Sequence, residues 1–166
     1  MNFAELVNPL PKGEYAEVGV WKGEGAAHIY SWMNKGSELW LFDSFQGHGD
    51  PCEFDDAKAH FRGRYSDTSI EEITRKISGA RIVPGFVPAS LYIAAAVAFR
   101  FVRIDLDHYL PTKAACEFFK PRMVPEGIIE FDDYCHPECP GATKAIAEVF
   151  GRGRVSKDAP FWWQAH

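Results

Sequence analysis

Four aspartates stand in two pairs within the stretch Val102 to Gly141. Asp105 and Asp107 close the apolar run FRFVRIDLD, and Asp132 and Asp133 close EGIIEFDD. Both runs are short, rich in Val, Ile and Phe, and stopped by charge, which reads as two buried strands. Residues 111–121 leave room for a helix between them. A strand–helix–strand unit of this size sets its strands parallel and adjacent. Both acidic pairs then fall at the carboxyl edge of neighbouring strands, where open α/β sheets bind ligands. Four carboxylates gathered there repel one another, and an oxygen-loving divalent cation is the simplest thing to offset them. His108 follows directly. It offers a base or a substrate contact, against the equal alternative of a buried structural histidine. Cys135, His136 and Cys139 suggest zinc at first sight, but the C-x-x-x-C spacing has no second ligand pair along the chain, so no zinc site is expected.

The elements that must position these groups can be followed along the chain. Residues 1–13 are a lead-in closed by Pro9, Pro11 and Gly13. Tyr15 to Val20 reads as a strand and Ala26 to Met33 as a helix, with Gly19, Gly23 and Gly25 in the turn between them. Such a turn lets backbone approach a ligand at a helix N-terminus. Its G-x-x-x-G-x-G spacing is not the dinucleotide fingerprint, which disfavours a nicotinamide dehydrogenase. Glu17, inside the strand, suits a cationic or hydroxyl-bearing ligand rather than a pyrophosphate. Leu39 to Phe42 forms the next strand and ends at Asp43. An acid there accepts hydrogen bonds from ribose hydroxyls, or else caps the following turn. Residues 46–68 are polar and irregular, with Asp55 and Asp56 in a loop able to cover part of the site.

Further on, Ser69 to Ser78 reads as a helix with Ile70, Ile73 and Ile77 on one face, capped by Thr68 or Ser69. ARIVPGFVPASL gives a strand, a turn and a helix start, and IAAAVAF continues that helix. Ala142 to Phe150 is helical. Arg154 to Ser156 and Phe161 to Ala165 read as one or two closing strands, and Phe161, Trp162 and Trp163 read as core packing.

Composition narrows the function classes. The chain has 166 residues, 46% of them hydrophobic and 14% aromatic, enough for one well-cored domain. A net charge of −5 gives no footprint for nucleic acid, and the basic cluster Arg152, Arg154 and Lys157 reads as surface. No apolar run reaches the roughly 20 residues of a membrane span, and the N-terminus lacks a secretory pattern. With four cysteines a domain of this size does not need a disulfide framework, so reduced thiols in a cytoplasm are expected.

Four blocks then coincide in order: EVGVWKGEGA, LFDSFQG, IDLDHYLPTK and FDDYCHPECPGATKAI. Together they closely resemble the macrocin O-methyltransferase (TylF-type) family of class I methyltransferases, over nearly the whole chain. The resemblance implies an α/β, Rossmann-like fold: a mostly parallel seven-stranded sheet, helices on both faces and a C-terminal antiparallel strand. It implies methyl transfer from S-adenosylmethionine to a hydroxyl of a small molecule, a sugar or phenol of a natural product, assisted by Mg²⁺. Carried over by motif, Asp105, Asp132 and Asp133 would hold the metal, and Asp107 would be the general base, with His108 beside it. Glu17, Gly19 and Gly23 would face the methionine part of the cofactor. Asp43 would take the ribose, with Ser44 and Phe45 near the adenosine and Asp105 bordering both ligands. The family usually carries a longer N-terminal segment, and a homodimer is expected from it. Two other readings remain: a glycosyltransferase holding a metal–nucleotide sugar at the D-x-D, which the glycine turn, Glu17, Asp43 and the second aspartate pair oppose, and a cofactor-binding relative without catalysis.

Overall fold

The computed structural model describes residues 2–151, 155–156 and 160–166. After a short helix α1 (Phe3–Val7), strand β1 (Glu14–Val18) leads into helix α2 (Glu24–Trp32). Strand β2 (Leu39–Asp43) is followed by the loop of residues 46–68, helix α3 (Ile70–Lys76) and strand β3 (Arg81–Pro84). Strand β4 (Phe99–Ile104), helix α4 (Tyr109–Phe119) and strand β5 (Met123–Phe131) form the expected crossover. Helix α5 (Pro140–Phe150) and strand β6 (Phe161–Gln164) close the chain.

The strands make one sheet in the order β3-β2-β1-β4-β5-β6, parallel except for β6, which runs antiparallel to β5. Among the described residues the sheet has six strands rather than the seven expected. The expected strand at Arg154 to Ser156 lies partly outside them, as does the basic cluster. Val155 and Ser156 belong to no strand, although the Ser156 N–H donates to the Trp162 carbonyl at 2.9 Å.

Apolar residues on β1, β2, β4 and β5 alternate between two cores, one on each face of the sheet. One gathers Val18, Phe42, Val102, Phe119 and Ile129 under α4 and α5; the other gathers Tyr15, Ile29, Leu41, Phe101 and Ile128 beneath α1 and α2. Trp163 is buried against Phe150 with ring centroids 4.9 Å apart, so the terminal aromatics do serve the core.

Two local expectations fail. IAAAVAF does not extend a helix: only a 3-10 turn spans Ala89–Ala94, leaving Tyr92 and Ile93 two-thirds exposed. The chain must pass from β3 at one edge to β4 beyond β1, three strand spacings or about 14 Å, and also return to the other end of the sheet. An α-helix rises only about 1.5 Å per residue, too little for so short a connection. Ile70 is exposed, because α3 begins there, away from the sheet; Ile73 and Ile77 carry its burial, and the Ser69 hydroxyl accepts the Glu72 N–H.

Candidate active site

Parallel pairing of β1, β4 and β5 puts Glu17, Arg103 and Glu130 in one row across the sheet, residue opposite residue. Cross-strand neighbours on one face lie close enough to interact. Arg103 Nη1 donates to Glu17 Oε1 at 2.8 Å, and its Nη2 reaches Asp105 Oδ2 at 3.3 Å and Asp132 Oδ1. Burial works against this guanidinium's charge, but Asp105, Glu17 and Asp132 outweigh it and keep it protonated. Arg103 therefore supplies much of the positive charge that the aspartate pairs alone would assign to a metal. Its signal was visible: an arginine inside a buried strand, and two further strands each carrying an equally unusual glutamate.

One arginine does not balance the edge. Glu17 is 1% exposed and its Oε2 has no partner. Burial, only partly offset by Arg103, pushes its carboxyl up to about 7. Burial does the same to Glu130, also to about 7. Asp105 is pushed up by burial and then by the charges of Asp133 and Asp132, and Asp133 by burial and Asp107. Asp105, Asp132 and Asp133 each bring a carboxylate oxygen within 4.8 Å of the others. Hard oxygen donors carrying unbalanced charge fit a divalent cation.

Asp133 also shapes the edge directly. Its Oδ2 accepts the N–H groups of Leu106, at 3.1 Å, and Asp107, at 2.8 Å. These bonds hold Asp107 in a left-handed conformation, φ 59°, just past the end of β4. Asp107 Oδ2 contacts His48 Nε2 at 3.0 Å, and its Oδ1 lies 3.3 Å from His60 Nδ1. Burial pushes Asp107 up, but the His48 hydrogen bond and the neighbouring histidines outweigh it and hold the carboxyl below its ordinary value. It is thus ionised and able to take a proton. His108 is buried, and its Nε2 sits 2.9 Å from the His60 carbonyl. A carbonyl only accepts, so that nitrogen carries hydrogen and is a donor. Loop 46–68 does cover the site, through His48, His60 and Tyr65. Asp55 fastens the loop: its Oδ1 accepts the Tyr109 N–H at the start of α4, and its Oδ2 the Cys52 N–H.

The glycine turn lies against this edge. Gly19 has φ +86°, and a Cβ there would meet the Asp105 carbonyl at 1.7 Å. A Cβ on Gly25 would fall 1.9 Å from Arg103 Nη1 and 2.1 Å from Glu17 Oε1, so glycine makes the space that the ion pair fills. Asp43 closes the turn: its Oδ2 accepts the N–H groups of Val20 and Trp21, and its Oδ1 that of Phe45. The capping alternative for Asp43 is thus realised, with lone pairs remaining for a ligand.

Turn, edge and loop enclose a cleft of about 900 Å³. Glu17, Gly19, Asp43, Ser44, Asp105, Asp107, His108, Asp132 and Asp133 all line it. Gly23 and Phe45 do not. Gly23 precedes α2 with φ +76° and packs on Ile73, while Phe45 packs into the core beneath α2. Arg103, His48, His60 and Trp21 also line the cleft, and none was singled out from the sequence. The histidines sit in a segment without periodicity, so nothing local marked them.

This sheet order and this carboxyl-edge cleft define a Rossmann-like methyltransferase fold. The model of the macrocin-O-methyltransferase family (TylF) matches residues 4–151, and the chain belongs to that family. It is 29% identical over 167 aligned positions to mycinamicin III 3''-O-methyltransferase of Micromonospora griseorubida. That match covers 88% of this chain and 63% of the relative, so the chain spans under two thirds of the relative's length. The O-methyltransferase NovP superposes with TM-score 0.81 at 26% identity, over 98% of this chain and 76% of that one. A calicheamicin methyltransferase also superposes with TM-score 0.81, at 22% identity, over 96% and 74%. No helix among the described residues is long and apolar enough to cross a membrane, and Cys52, Cys116, Cys135 and Cys139 are all free thiols.

Proposed function

We propose that this chain methylates a hydroxyl of a natural-product sugar or phenol, using S-adenosylmethionine and a divalent cation, with Mg²⁺ the expected ion. The observation that carries the reading is the unpartnered oxygen of Glu17 in the same cleft as three clustered aspartates and an ionised fourth. A buried carboxylate oxygen without a donor fits the ammonium group of the cofactor's methionine part. The neighbouring glycine turn leaves room for that group, and the free lone pairs of Asp43 suit a ribose hydroxyl. Asp105, Asp132 and Asp133 would hold the cation, whose charge favours the ionised form of an acceptor oxygen.

In this reading Asp107 takes the acceptor's proton at its carboxylate. Its low pKa keeps it unprotonated, and the Asp133 carboxylate and His48 ring fix its orientation. His108 positions rather than reacts, tying the loop to the start of α4 through the His60 carbonyl. The loop and the first turn exclude water from between the reacting groups, leaving alignment to set the rate. The mycinamicin relative's name specifies 3''-O-methylation of a natural product, which supports a hydroxyl acceptor here.

The test is calorimetric titration of S-adenosylhomocysteine, followed by transfer of labelled methyl to a panel of sugar and phenol acceptors with Mg²⁺ or with chelator. Micromolar cofactor binding and chelator-sensitive transfer support the proposal. Absence of cofactor binding overturns it. Transfer unaffected by chelator removes the cation from it.

A further inference from the structure

Behind the acidic edge a second group of ligand atoms converges on Asp107 from three parts of the chain. His48 and His60 come from loop 46–68, Asp107 from the end of β4, and Cys139 from just before α5. We propose that His48, His60, Asp107 and Cys139 form a transition-metal site of the zinc class, distinct from the all-oxygen aspartate cluster.

The ligand chemistry separates the two sites. Imidazole and thiolate suit zinc, whereas Mg²⁺ favours oxygen. In a tetrahedral zinc centre, bonds of about 2.0–2.3 Å place ligand atoms roughly 3.3–3.7 Å apart. His48 Nε2 lies 3.0 Å from Asp107 Oδ2, His60 Nδ1 3.3 Å from Asp107 Oδ1, and Cys139 Sγ 3.4 Å from the same Oδ1. His48, His60 and Asp107 bring one ligand atom each within 4.8 Å of one another, while Cys139 reaches that range with Asp107 and Asp133. Its Sγ meets His60 at Nε2, 3.4 Å away, so the sulfur must swing toward the Nδ1 side to join. Modest contraction of the loop histidines around Asp107 would complete the sphere.

Hydrogen bonding alone leaves this cluster poorly satisfied. His60 Nδ1 is buried and, though 3.3 Å from Asp107, is not aligned for a hydrogen bond. His60 itself is 2% exposed and Cys139 also 2%. Two imidazoles and a thiol surround one carboxylate on the wall of the cleft. A cation at their centre would satisfy the orphaned nitrogen and the carboxylate together. The ligand pair that the spacing around Cys139 lacked is thus supplied through space by the loop, while Cys135 is exposed and plays no part.

The proposal does not depend on methyl transfer, and its test needs neither cofactor nor acceptor. The full chain, stripped with chelator and held in excess Mg²⁺, is titrated with Co²⁺ as a spectroscopic stand-in for zinc. One equivalent is expected to give tetrahedral d–d absorption and a thiolate-to-cobalt charge-transfer band, both bleached by Zn²⁺. Cys139→Ser should keep the d–d bands and lose the charge-transfer band. His48→Ala and His60→Ala should each weaken binding at least about 100-fold. If circular dichroism shows His60→Ala unfolded, His48→Ala and Cys139→Ser decide. Absent bands, or bands unchanged by His48→Ala, overturn the proposal. So does a signal lost only in His136→Ala, whose Nδ1 lies 3.6 Å from Cys139 Sγ, because it moves the ion elsewhere.

Discussion

Replacing Glu17 by Gln should stabilise the ligand-free protein and damage its cofactor site, two effects of opposite sign from one atom. Glu17 is buried with one oxygen on Arg103 and the other on nothing, and burial pushes its carboxyl up to about 7 from an ordinary value near 4.5. The folded state therefore holds a proton that the unfolded chain has released. The resulting stability is complete below about pH 4.5 and is lost as pH rises through 7. A difference of about 2.5 pH units at about 1.4 kcal/mol each makes the loss roughly 3 kcal/mol above neutrality. Gln resembles the protonated acid in shape and does not titrate. The variant should therefore match the wild type near pH 4.5 and exceed it by up to about 3 kcal/mol near pH 8, as measured by urea unfolding across pH. A ligand ammonium, however, needs the carboxylate. A hydrogen bond to a charged partner contributes about 1.5–3 kcal/mol, so S-adenosylhomocysteine should bind about 10- to 100-fold more weakly. A variant that is no more stable near pH 8 would refute the account of the unbalanced carboxyl. Unchanged cofactor affinity would refute its assignment to the ammonium group.

Arg103→Met removes the one cation that, among the described residues, pairs with Glu17, Asp105 and Asp132, and should cost about 3–5 kcal/mol at neutral pH. The loss should shrink toward pH 5 as Glu17 protonates, and a urea midpoint independent of pH would contradict it. Asp107→Asn should lower kcat by about 10²–10⁴-fold while leaving S-adenosylhomocysteine affinity within about twofold, and equal losses in both would make Asp107 a binding residue instead. Gly25→Ala drives a methyl group into the Glu17–Arg103 pair, so calorimetry should find cofactor binding lost together with a lowered Tm. Retention of both would show that the turn is not the tight cradle described.

The strand–helix–strand unit around Asp105 and Asp133 was legible because its signals are local. Apolar runs of strand length, charges that end them and glycines at a turn each act over a few residues. The same locality placed Glu17 inside a strand without revealing that it faces Arg103. Helix ends shifted by one or two residues because capping competes within single turns, as Ser69 does for α3. The 89–94 turn escaped because the distance between β3 and β4 depends on strand order, which composition does not encode.

The sequence by itself determined the sheet's parallel core, the acidic carboxyl edge and the family, since each is written in contiguous blocks. Only the tertiary structure decided how those charges are balanced. It turned Asp43 inward onto the first turn, set Arg103 among carboxylates from three strands, and brought His48 and His60 onto Asp107 from a loop some 50 residues away in the chain. Electrostatic and ligand contacts depend on separation in space, and register and loop packing alone convert that from separation along the chain.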